Sequence, residues 1–143
     1  MRKLSLLVVF FYLTVTSCTT TKPVTKIASI DGTWMLNYIT GPRIAFDGLY
    51  PNKKPTIVFD LKENKIYGNN SCNQYFGTLI LDGAKINFKD SKIGMTMMAC
   101  VGNGDSVYMD TLAKIESYTI TDDGKTLNFL LGDVVMMRYT YQK

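Results

Sequence analysis

Between Thr33 and Tyr141 the sequence is cut into short stretches that alternate apolar and polar residues, separated by turn-forming pairs. Such a chain pairs its strands antiparallel through tight connections. Thr33 to Ile39 sets Trp34, Leu36 and Tyr38 on one face, and Thr56 to Leu61 does the same with Ile57, Phe59 and Leu61. Between them, Gly41 to Lys54 reads as a loop. Lys65 to Gly68, Gln74 to Leu81, Lys85 to Phe88 and Lys92 to Met98 continue the strand pattern, the last of them weakened by Gly94. Tyr118 to Thr121, Thr126 to Leu131 and Val134 to Tyr141 complete it. Asp82-Gly83, Asp123-Gly124 and Gly132-Asp133 supply turns. One stretch breaks the pattern. From Asp105 to Ser117, Tyr108, Leu112 and Ile115 recur at helical spacing, with Asp105 or Ser106 placed to cap the first turn. The expectation is a mainly β (α+β) domain, a small antiparallel β-barrel-like curved sheet plugged by one α-helix at about residues 105–117.

The N-terminus is of another kind. Arg2 and Lys3 precede an apolar run, Leu4 to Leu13, of signal-peptide length and too short to span a bilayer. Val15-Thr16-Ser17-Cys18 then resembles the lipobox of bacterial lipoproteins. That resemblance implies cleavage before Cys18 and acylation of Cys18, so that acyl chains hold the protein in a membrane. The expected organisation is a signal peptide at 1–17, a lipidated cysteine and Thr-rich tether at 18–29, and one domain at 30–143. A membrane-spanning N-terminal anchor, or a plain secretory signal with a chance cysteine, are the alternatives. Thr19 to Lys22 place no aspartate beside the anchor, which in a Gram-negative organism suggests outer-membrane sorting. They carry no acidic run of the kind that takes some lipoproteins to the cell surface, so the periplasmic face is expected.

Without residues 1–17 the chain has 126 residues, with 14 Lys+Arg against 12 Asp+Glu. That is too balanced for a nucleic-acid binder, and a monomer is expected. Cys72 and Cys100 are left after Cys18 and, in an exported protein, are candidates for a disulfide worth roughly 3.5 kcal/mol in the chain-entropy picture. Two buried thiols are the alternative. With no histidine in the chain, neither a metal site nor a cofactor is expected. Catalysis is not expected either: the carboxylates Asp82, Asp122, Asp123 and Asp133 fall at turns. The methionines Met95, Met97, Met98, Met136 and Met137 read as core and gap fillers rather than a soft metal site.

Two segments carry a resemblance: Gly68 to Gly77 (GNNSCNQYFG) and Thr96 to Cys100 (TMMAC). With Gly32-Thr33-Trp34, the strand Pro55 to Phe59, and Asp105, Tyr108 and Leu112 on the helical stripe, the chain resembles the META, or HslJ-like, domain family over about residues 30–141. The motif positions are Gly32, Trp34, Pro55, Phe59, Gly68, Asn73, Tyr75, Gly77, Thr96, Met98, Ala99, Asp105, Tyr108 and Leu112, and they read as scaffold. Asp105 stands where the family usually has glutamate, and Ser71 where many members have glycine. The resemblance implies a small barrel-like sheet with one helix. It also suggests a non-catalytic envelope lipoprotein acting by protein contacts, in envelope integrity or stress response. A small-ligand-binding barrel, or an inhibitor of an envelope-directed hydrolase, are the alternatives.

Overall fold

A computed structural model of the chain describes residues 28–143. The lipobox-like segment, Cys18 and most of the tether lie outside the described residues. The elements run β1 (Gly32–Ile39), α1 (Phe46–Leu49), β2 (Thr56–Asp60), β3 (Lys65–Asn69), β4 (Gln74–Thr78), β5 (Leu81–Asp82), β6 (Lys85–Ile86) and β7 (Gly94–Met95). Then follow α2 (Gly104–Leu112), β8 (Ser117–Thr121), a 3-10 turn at Asp122–Gly124, β9 (Thr126–Leu131) and β10 (Val134–Gln142). All ten strands form one antiparallel sheet in the order β5-β6-β8-β9-β10-β1-β2-β3-β4-β7. The sheet is curled into a half-barrel, with α2 as its one main helix. The expected fold class is the observed one.

Of the faces the alternation indicated, Trp34, Leu36, Ile57 and Phe59 point inward, while Tyr38 and Leu61 do not. Trp34, Leu36, Ile57, Phe59, Ile66, Leu127, Phe129 and Tyr139 are buried together, and α2 adds Tyr108 and Leu112. Phe129 sits edge-on to Phe59, Phe88 and Tyr139, with centroids 6.3, 5.4 and 5.1 Å away. The interior of the curl is filled by these aromatic rings.

Several local expectations give way to specific contacts. A bulge at Asn37 shifts the β1–β10 register, so Tyr38 leaves the Trp34 face and stacks outside on Arg138, 5.4 Å away. Asp60 ends β2 by accepting the Lys62 and Glu63 N–H groups, which leaves Leu61 partly exposed. The Gly41–Lys54 loop contains the single turn α1. The expected strand Gln74 to Leu81 breaks after Thr78, and Lys85 to Phe88 pairs only at Lys85 and Ile86. Asp82 is itself paired with Lys85, which makes Gly83-Ala84 the hairpin loop. The helix stops at Leu112, short of Ser117. Beyond it, 3-10-type bonds from Lys114 to Thr111 and Ile115 to Leu112 still bury Ile115. The cap also differs: Asn103 is the N-cap residue and makes no side-chain cap bond, while Asp105 lies in the first turn, where its charge complements the helix dipole. Gly104 opens the helix because a Cβ there would come 2.7 Å from the Leu49 carbonyl and 2.9 Å from the Tyr50 ring.

Candidate functional site

The turn joining β3 to β4 is built by its own side chains. Asn70 Oδ1 accepts the N–H groups of Cys72 (3.2 Å) and Asn73 (2.7 Å), and Asn69 Oδ1 accepts that of Ser71 (3.0 Å). Ser71 has φ +87°, so the position occupied by glycine in many resembling sequences does need the left-handed region. This turn is then tied to the segment after β7. Cys72 and Cys100 are disulfide-bonded, with Cα atoms 5.8 Å apart. Asn73, itself buried, does the finer work. Its Oδ1 accepts the Met98 N–H (2.7 Å) and the Thr96 hydroxyl (2.9 Å), and its Nδ2 donates to Met98 O (3.5 Å) and toward Cys100 Sγ (3.1 Å). Thr96 Oγ1 in turn accepts the Gln74 N–H.

This clamp explains why the expected strand Lys92 to Met98 is reduced to Gly94 and Met95. After Met95 the Thr96 N–H still donates to Gln74 O (2.9 Å), and at Met98 an asparagine side chain takes over the hydrogen bonds a neighbouring strand would make. Met97 and Met98, beyond the end of β7, do not fill the core, and neither does Met95 within it. Met97 is 94% exposed, Met98 60%, Met95 is exposed as well, and Val101 is wholly open to solvent. The core-filling expectation holds for Met137, which is fully buried, and fails for these three. Beside them the outer sheet face carries a cross-strand row: Val58 opposite Tyr67, Tyr67 opposite Phe76, Phe76 opposite Gly94. Phe76 and Tyr67 are exposed, and the Phe76 ring lies against Gly94, where a Cβ would be 3.0 Å away.

The remaining motif residues are spread through the scaffold. Gly32 (φ +105°) starts β1 under the Tyr141 ring, and Trp34 Nε1–H donates to Ile30 O at 2.7 Å. Pro55 O accepts the Leu36 N–H, and Phe59 is in the core. A Cβ on Gly68 would run into the Thr56 carbonyl, and one on Gly77 would come 2.8 Å from Ser91 O. Ala99 is exposed next to Cys100. Tyr75 and Tyr108, from two motif segments, meet with Tyr139 in a buried hydroxyl chain. Tyr75 donates to Thr56 O (3.0 Å), which uses its single proton, so Tyr108 donates to Tyr75 (2.8 Å) and Tyr139 to Tyr108 (3.1 Å). Burial pushes the Tyr108 hydroxyl up to about 12 despite its two hydrogen bonds, and holds Tyr75 and Tyr139 well above the ordinary value of 10. Tyr50 is raised too, by burial first and then by Tyr108 and Asp105. Tyr141 sits edge-on to Trp34 at 5.1 Å. Asp82, Asp122, Asp123 and Asp133 are all exposed.

The structure thus brings together Cys72, Cys100, Asn73, Thr96 and Met98, with Gly68, Gly77 and Tyr75 supporting them from the adjoining strands. Exposure of Met97, Phe76 and Tyr67 was the missed signal. Its trace in the sequence is methionine on both parities between Met95 and Met98.

Comparison with known proteins bears on this arrangement. The model of the META domain family matches residues 25–140. No curated protein matches the sequence. Among solved structures, an NMR structure of a protein from Burkholderia xenovorans is similar at TM-score 0.62 and 20% identity, over 79% of this chain and 83% of that one. A second NMR structure gives TM-score 0.55 at 17% identity, over 77% and 88%. The crystal structure of a DUF4847 family protein from Bacteroides vulgatus gives 0.51 at 16%, over 82% and 96%. At these identities the likeness is one of fold.

Proposed function

The chain belongs to the META domain family, and we propose that this member is a non-catalytic, lipid-anchored envelope protein that works through protein contacts. Its role on this reading lies in envelope integrity or stress response, from an anchor at Cys18 on the periplasmic face of the outer membrane. The observation that carries the reading is the clamp. A disulfide and a buried asparagine immobilise a segment whose Met97 and Met98 side chains point into water. A surface held rigid in advance loses little freedom on association, and exposed methionine and aromatic side chains are what interface centres favour. The filled interior of the half-barrel supports contact on the outside over a ligand held within.

The test is photocrosslinking in intact envelopes, with a photoreactive residue at Met97 of the full chain and a control at exposed Lys62, near the far end of β3. A defined crosslinked protein from position 97, absent from the control and lost with Met98→Asp, is expected. No position-specific product would sink the proposal. Cys18→Ala is expected to leave an unlipidated, unprocessed or misplaced protein; normal retention of a cleaved variant would remove the anchor.

A further inference from the structure

Away from the clamp, the loop leaving β1 and the exposed side of α2 enclose an open groove of about 460 Å³. Its floor is apolar, made by Leu49, Val107 and Met136. Its rim carries two cations, Arg43 and Lys114, both exposed. Neither makes an ion pair among the described residues, whose salt bridges are Lys54–Asp47 and Lys65–Glu63. One carboxylate, Asp110, lies on the same lining, so the groove keeps a net positive rim over an apolar base. The volume falls within the roughly 300–1,000 Å³ of small-molecule sites.

We propose that this groove binds a small amphiphilic carboxylate. The apolar body lies on Leu49, Val107 and Met136, and the carboxylate sits between Arg43 and Lys114. Arginine supplies the planar fork that a carboxylate accepts in pairs, and lysine adds a point charge. A neutral ligand would leave both charges unanswered, and a cation would be repelled. This site is independent of the contact surface at Met97.

The chain's eight methionines provide the readout. The full chain in lipid nanodiscs, labelled at the methionine methyls, is titrated with 4-phenylbutyrate, whose ring shifts nearby methyl signals. Phenylbutanol and phenylbutylamine serve as neutral and cationic counterparts. Saturable movement of the Met136 methyl, with Met97 and Met98 still, is expected, along with at least tenfold weaker binding of the alcohol. Arg43→Gln with Lys114→Gln is expected to lower the carboxylate's affinity to that of the alcohol, and both side chains are exposed, so the fold is not at stake. A stationary Met136 signal, equal affinity for the alcohol or amine, or undiminished affinity in the double variant would each overturn the proposal.

Discussion

Removing the Tyr108 hydroxyl should cost more than removing that of Tyr139, although both rings are fully buried. The proton directions decide this. Tyr139 donates to Tyr108, Tyr108 to Tyr75, and Tyr75 to the Thr56 carbonyl. Tyr108→Phe deletes the middle link and strands the Tyr139 proton, whose other neighbour is the weak acceptor Met137 Sδ at 3.7 Å. An orphaned buried donor costs about 1–3 kcal/mol. Tyr139→Phe deletes only the terminal donor and leaves no proton unplaced, for about 0.5–1.5 kcal/mol. Near 2 kcal/mol for Tyr108→Phe corresponds to a fall of about 8 °C in Tm for a domain of this size. Urea unfolding followed by the fluorescence of Trp34, the single tryptophan and fully buried, gives both values. If Tyr139→Phe proved as costly as Tyr108→Phe, the directional chain would be wrong.

Alkaline stability follows from the same cluster. Tyr75, Tyr108 and Tyr139 are raised in the folded protein, so their contribution is whole below pH 10, where unfolded tyrosine is still protonated, and is lost as pH rises toward about 12. Each then removes about 1.4 kcal/mol per pH unit, and urea midpoints that stay level from pH 9 to 11.5 would contradict it. Ser71→Gly should raise stability by about 0.5–1 kcal/mol, since serine at φ +87° is strained and glycine is not; a lower Tm would refute this. Replacing Cys72 and Cys100 together by alanine should cost about 3.5 kcal/mol for a bridge spanning 28 positions, and a loss under 1 kcal/mol would show that the loop needs no tie. Asn73→Ala should speed exchange of the Met98 amide by an order of magnitude or more relative to core amides, because its one acceptor is the Asn73 Oδ1. Unchanged protection would mean that the disulfide alone holds the segment.

The fold was readable where side-chain alternation and burial coincide. Trp34, Leu36, Ile57 and Phe59 each announce an inward face, and each is buried. The reading failed where a single contact outvotes the period. Tyr38 obeys the alternation on paper, but a bulge at Asn37 turns it outward. Ile115 keeps helical spacing with Leu112 after the helix has ended. Gly94 weakened the reading of a strand, yet it is where the strand survives, because Phe76 from β4 covers the space a side chain would fill.

The site divides along the same line. Asn70 to Gln74 looks like turn chemistry and is turn chemistry, so a scaffold reading of the motif was available from residue type alone. What that scaffold holds was not, because it depends on a partner 25 positions away: Asn73 bonding Met98 on both its N–H and its carbonyl. Those two bonds imitate one rung of a β-ladder with a side chain. A real strand would have bound the backbone of alternate residues and turned half the methionines inward; the asparagine binds the backbone of Met98 alone, takes the Thr96 hydroxyl besides, and leaves Met97 free of the pleat. An apolar segment in water is costly to keep and easier to bury. On the proposed reading, its being fixed there by a buried amide and a disulfide makes the Met97 surface, more than the filled interior, the part of the domain to test first.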